Sequence, residues 1–169
     1  MAAGRAVSLW RIAKHTSEFS ATDLSGRSAR ANGGRWNRKG QPLVYAATTI
    51  ALATLETLAH LGGNIAIRNT FLVHITVPAS LWKLRVTVRA CDLPVTWVAE
   101  PPSSTTIDYG TRWLKEMTSP LLLVPSVMVP EEYNVLINPR WPKVGRIAAA
   151  VTRQFIYDPR LQNALTAKN

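Results

Sequence analysis

The stretch from Thr70 to Val77 constrains this chain most: Phe71, Val73, Ile75 and Val77 alternate with Thr70, Leu72, His74 and Thr76. A period of two marks a half-buried β-strand, since successive side chains leave opposite faces of the pleat. A strand of this kind needs partners, and Val7 to Ile12, Pro42 to Ala47, Trp82 to Val88, Leu121 to Val129, Tyr133 to Ile137 and Arg153 to Tyr157 read as further short strands. Pro125 inside the Leu121 to Val129 run implies an edge position or a bulge, because proline cannot donate to a ladder. Helices are fewer. Thr48 and Thr49 offer an N-cap to Ile50 to Leu61, with Ala51, Leu52, Leu55, Leu58 and Ala59 on one arc, Gly62 and Gly63 as the stop and His60 in the last turn. Ile107 to Met117 has looser helical spacing interrupted by Gly110, and a helix is also expected across Val144 to Val151. The polar stretch before Gly34 is too irregular to assign. Strands outnumber helices without alternating regularly with them, so the fold class is α+β, in one domain of 169 residues.

Composition then limits the function. The 47% hydrophobic content suits a packed core, and the single Cys91 excludes an intramolecular disulfide and a cysteine-based zinc site. No apolar window is long enough to span a bilayer, and Met1 to Arg11 lacks the apolar core of a secretory signal, so a cytoplasmic protein is expected. Twenty basic against ten acidic side chains give a net charge of +10, which raises the question of nucleic acid. The charge is dispersed, apart from Arg27 to Lys39, where Arg27, Arg30, Arg35, Arg38 and Lys39 occur with no acid among them. A patch of that size suits a site rather than a polyanion-binding tail. A basic nucleic-acid-binding module, supported only by the charge and six tryptophans, is the alternative of another class.

No dinucleotide fingerprint, P-loop, metalloprotease helix or nucleophile elbow occurs. His15, His60 and His74 are isolated from acids and cysteine, so no metal site is expected. Glu56 stands out inside an apolar helix. With Leu52 at zero on a helical wheel, Leu55 falls at about 300°, Ala59 at about 340° and Glu56 at about 40°, so the carboxylate borders the buried face. It is either a functional group facing a polar cleft or an edge residue reaching solvent. Gly33-Gly34-Arg35-Trp36-Asn37 combines a backbone that a ligand can approach, an arginine able to chelate phosphate and a flat tryptophan surface; taken alone, it reads better as a glycine turn before a core tryptophan. Ser126, in Val124-Pro125-Ser126, has no neighbouring histidine to make it a nucleophile and reads as a small strand residue bonded to backbone.

Together these stretches resemble the RES domain family. The resemblance runs through Trp10-Arg11-Ile12, Gly34-Arg35-Trp36-Asn37, Tyr45, Leu55-Glu56, Val124-Pro125-Ser126, Pro130-Glu131, Asn134 and Leu136-Ile137-Asn138-Pro139 to Phe155, Asp158 and Arg160-Leu161. It covers residues 8–161 and leaves 1–7 and 162–169 as terminal extensions. Where many relatives have histidine, this chain reads Asn138-Pro139-Arg140-Trp141-Pro142, so no role of that histidine carries over. The resemblance implies an ADP-ribosyltransferase-like fold of mixed sheets with peripheral helices. It also implies the toxin of a bacterial toxin–antitoxin pair, which depletes NAD by cleaving its nicotinamide–ribose bond with water or inorganic phosphate and so arrests growth. Modification of a specific protein with ADP-ribose is the alternative outcome. Glu56, Arg35, Tyr45 and Ser126 are then the expected catalytic residues, with Arg11, Arg35, Trp36, Tyr45 and Ser126 binding NAD. Glu56 would steady the developing ribose cation, Arg35 and Arg11 would grip phosphate or amide, Tyr45 would stack on nicotinamide, and Ser126 would bond the amide or ribose. NAD is the substrate and no metal or further cofactor is implied. The implied partner is an Xre-like, DNA-binding antitoxin that blocks the active site, in a complex that can hold more than one toxin copy.

Overall fold

The computed structural model describes residues 4–61 and 69–161. The Gly62-Gly63 helix stop, the first three residues of the N-terminal extension and the whole C-terminal one lie outside that range. The elements are β1 (Val7–Lys14), α1 (Arg27–Asn32), β2 (Val44–Ala47), α2 (Ile50–His60), β3 (Thr70–Val77), α3 (Ala79–Trp82), β4 (Val86–Thr87), α4 (Ser104–Glu116), β5 (Leu121–Pro125), β6 (Tyr133–Ile137) and β7 (Ala148–Gln154). Among the described residues the strands form one sheet in the order β4-β5-β6-β2-β1-β3-β7. Only β4 and β5 run parallel, so the sheet is mixed and the fold is α+β as expected.

The alternation that marked β3 holds: Val73, Ile75 and Val77 are buried and join Leu9, Val44, Leu121, Val135 and Ile137 in the largest core cluster. Cross-strand partners share a face, and Arg11 pairs with Val73, so Arg11 belongs to this side. The opposite face is covered by α2 and α4. Trp10 packs with Ala47 under Leu52 and Ala53, Ile12 and Leu72 pack with Leu58, and Leu122, Val124 and Leu136 lie under Trp36, Trp113 and Leu114. Tyr45 and Asn134, on the strands between these two coverings, stay half-buried.

Local sequence explains the helices. Thr49 caps α2, its hydroxyl accepting from Leu52 N at 3.0 Å, a device worth about 1 kcal/mol. Gly110 does not interrupt α4, because the helix rests directly on the Trp36 backbone: a Cβ at Gly110 would lie 1.9 Å from the Trp36 carbonyl oxygen. Only glycine permits that approach.

Four expectations need correcting. The Trp82 to Val88 strand shrinks to β4, with Trp82 in α3. The helix expected across Val144 to Val151 is a 3-10 turn, Val144–Arg146, followed by β7; Ala148 to Ala150 favour helix locally, but pairing with Ile75 and its neighbours on β3 decides the matter. That strand also replaces the one expected over Arg153 to Tyr157. Pro125 makes neither an edge strand nor a bulge but ends β5, which lies between β4 and β6. Val88 N donates to Leu123 O, so by alternation the Pro125 nitrogen faces the same flank, beyond the last residue of β4, where no ladder bond is forgone.

Candidate active site

Glu56 lies deeper than its place on the wheel suggested. The residues of α2 that are buried are Leu52 and Ala53, at 0° and about 100°, so Glu56 at about 40° falls between them and faces the sheet. Its Oε1 accepts from Ser126 Oγ at 2.6 Å and from Asn134 Nδ2 at 2.6 Å. Oε2 accepts no hydrogen bond from the described residues. Both donors come from the sheet: Asn134 is on β6, and Ser126 follows Pro125 at the end of β5.

Ser126 is fully buried and its hydroxyl is fully used. Oγ accepts from Met128 N at 3.0 Å and Val129 N at 3.1 Å, which directs its proton to Glu56. The two readings of Ser126, backbone-bonded strand residue and functional residue, are therefore one arrangement, in which the turn after β5 orients the serine and the serine orients the carboxylate. With its donor and acceptors engaged, the Ser126 hydroxyl is turned to Glu56 on one side and to the backbone after β5 on the other.

A second group surrounds Tyr45. Its hydroxyl donates to Asn37 Oδ1 at 2.8 Å and accepts from Trp36 N at 3.0 Å, and a Cβ on Gly34 would sit 2.7 Å from it. Buried Asn37 returns three Nδ2 bonds, to the carbonyls of Ala29, Arg38 and Gln41. Desolvation raises the Tyr45 pKa well above its ordinary 10.0, keeping the phenol a neutral donor. The glycine-arginine loop is thus closed onto Tyr45. Arg35 leaves that loop toward residues 97–100: Nη1 donates to Trp97 O at 3.0 Å and Ala99 O at 2.8 Å, and Nη2 pairs with Glu100 at 2.8 Å.

Strand register joins the two groups. Tyr45 pairs with Leu136 and Ala47 with Asn134, so Tyr45 and Asn134 are diagonal neighbours on one face, within about 7–8 Å. Glu56, Ser126, Asn134 and Tyr45 thereby converge between α2 and α4, with the Arg35 loop attached through Tyr45. Two expected residues stand apart. Arg11 occupies the other face of the sheet, where its Nη1 donates to Asp23 O at 3.0 Å and burial lowers its pKa; it anchors the loop before α1. Trp36 is a core residue, buried under Tyr109 with the rings at 83°, so its indole faces present no ligand surface. Trp141, at the departing position, packs against the core cluster on the Arg11 side.

Asn134, Asn37 and Glu100 were not singled out for roles. Asn134 and Asn37 are uncharged and are marked only by the family resemblance and, for Asn134, by the alternation of β6 against buried Val135; Glu100 lies in a proline-bounded loop with no such mark. The histidines are engaged elsewhere: His60 Nδ1 lies 2.7 Å from Glu56 O, His74 Nε2 lies 2.7 Å from Ser8 Oγ, and His15 packs edge-on to Phe71. Among the described residues no group of three or more His, Cys, Asp or Glu could hold a metal. On the outer side of the arginine loop, Gly33, Gly34, Asn37, Arg38, Lys39 and Ile107 line an open recess of about 420 Å³.

A carboxylate held through one oxygen can steady positive charge, and a clamped, glycine-flanked arginine can bind an anion. A family model described as "RES domain" matches residues 8–158. The chain is 45% identical over 154 residues to "Prs ADP-ribosylating toxin" of Sphingobium sp. (strain YBL2), covering 91% of this chain and 96% of that one. It is 37% identical over 155 residues to "Toxin Res" of Yersinia enterocolitica, covering 91% and 99%. It is 35% identical over 158 residues to "Toxin Res" of Photorhabdus laumondii, covering 92% and 97%. Matched along nearly its whole length by the family model and by these relatives, the chain belongs to the RES domain family.

Proposed function

We propose that this protein is a toxin that consumes NAD by breaking the bond between nicotinamide and ribose. The observation that carries the reading is the Glu56 carboxylate, fixed through Oε1 by Ser126 and Asn134, with Oε2 taking no bond from the described residues. As the glycosidic bond breaks, its electron pair passes to the nicotinamide ring nitrogen, which leaves neutral and needs no proton. The ribose carbon becomes cationic, as in glycosidase chemistry. Glu56 Oε2 accepts a ribose hydroxyl and stabilises that cation, and the prior fixing of Oε1 spares reorganisation during the step. Arg35 binds the diphosphate and Tyr45 lines the nicotinamide end. An acceptor then adds to the ribose carbon and gives up its proton to solvent.

The acceptor divides the proposal. Water or inorganic phosphate yields ADP-ribose or its 1″-phosphate and simple NAD depletion. A protein acceptor is favoured by one observation, the 45% identity to a relative named an ADP-ribosylating toxin. Incubation with NAD labelled in its ADP-ribose part, with and without phosphate and cell protein, separates the outcomes: label stays in small molecules or appears on a protein band. Intact NAD under all these conditions refutes the proposal. The partner we propose is an Xre-like antitoxin that covers this cleft. The nucleic-acid alternative loses its stacking surface, because Trp36, Trp97 and Trp113 are buried and Trp10, Trp82 and Trp141 are half-buried.

A further inference from the structure

Arg35 is not waiting empty. Of its five N–H groups, two are spent on the carbonyls of Trp97 and Ala99 and one on Glu100 Oε2 at 2.8 Å. The Nε hydrogen and the second Nη2 hydrogen make no bond among the described residues. The two partners of the ion pair differ sharply in burial: the Arg35 side chain is 16% exposed and that of Glu100 is 77% exposed. The carbonyls therefore fix the guanidinium from the protein side, while Glu100 sits on its solvent side, across the path by which an anion arrives.

We propose that Glu100 is a resident carboxylate that occupies the anion site at Arg35 and must be displaced before a phosphate-bearing ligand binds there. The inference rests on the reading of Arg35 as the phosphate anchor. Glu100, 65 residues from Arg35 in the chain, is held beside it by the fold, so a phosphate ligand displaces it in order to bind the guanidinium. A diphosphate offers more charge and more oxygens to the two remaining donors. Because Glu100 is well exposed, its pairing is weak and screened, and displacement by such a ligand costs little.

Calorimetric titration of inorganic pyrophosphate, NAD and nicotinamide mononucleotide into the Glu56→Gln protein, with and without Glu100→Gln, tests this without turnover. Removing Glu100 should tighten pyrophosphate, NAD and the mononucleotide by a common factor of about three- to fivefold, as expected for an exposed pair. Glu116→Gln, an exposed acid at the end of α4, should leave all three unchanged, and Arg35→Ala should abolish the gain. Affinities unaltered by Glu100→Gln, or raised equally by Glu116→Gln or in the absence of Arg35, overturn the inference. Tighter pyrophosphate with no NAD binding in either protein keeps the competitor and refutes the NAD reading. Equal NAD and pyrophosphate binding by both proteins does the reverse.

Discussion

The residues around Glu56 form a chain of orientation with separable effects. Glu56→Gln keeps the shape and removes the charge, so NAD cleavage should fall by at least about 10²-fold in kcat, the scale of losing a transition-state electrostatic contact. Ser126→Ala acts one step back. It frees Glu56 Oε1 from one donor and leaves the Met128 and Val129 amides without their acceptor, so kcat should fall about tenfold with KM within twofold. A KM that rises while kcat holds would mean that Ser126 touches substrate after all. Tyr45 offers a pH test. Its proton is held well above 10.0 in the folded chain but only to about 10 in the unfolded one. Above that pH the unfolded state releases a proton that the native state keeps, so stability declines as pH rises beyond about 10. In Tyr45→Phe that part of the decline should vanish, at a cost of about 1–2 kcal/mol for the lost hydroxyl bonds, measured by urea unfolding across pH.

At the scale of elements, α4 depends on a contact that spacing alone misreads. Gly110→Ala forces a methyl into the Trp36 carbonyl, against backbone that cannot swing aside, and should destabilise by about 2 kcal/mol or more despite alanine's better helix propensity. Thermal unfolding checks this, and a stabilised variant would contradict the packing described. Gly110 shows why part of the fold was legible and part was not. The strands β3 and β6 and the capped helix α2 carry their pattern within a few residues, and the sequence places them within one or two positions. β7 was read as helix followed by a later strand because its alanines are locally ambiguous and only pairing to β3 decides. The site divides likewise. Glu56, Arg35, Tyr45 and Ser126 were marked by residue type and family resemblance, but wheel geometry put Glu56 at the border of a buried arc that it occupies. Arg11 and Trp36 sat beside real site residues in sequence while a strand and a turn sent their side chains elsewhere. The Arg35 to Glu100 pairing spans 65 residues and had no local trace.

For the molecule as a whole, the charge of +10 acquires a location. Arg27, Arg30, Arg38 and Lys39 are exposed on one segment, Arg38 paired with Asp108, and that segment ends in the loop that Tyr45 holds shut. Such a surface raises the local concentration of anions, so an acidic protein should associate with it at an on-rate that falls as salt rises. The tryptophans contribute to packing rather than to a stacking platform, so duplex or single-stranded nucleic acid should bind only weakly and lose that binding at moderate salt. The central claim concerns one bond. Mass analysis of NAD after incubation with the purified protein and cell extract should show free nicotinamide released by the wild type and not by the Glu56→Gln variant, with the ADP-ribosyl mass recovered in a small product or on a protein. Equal nicotinamide release by both proteins, or none by either, would contradict the account.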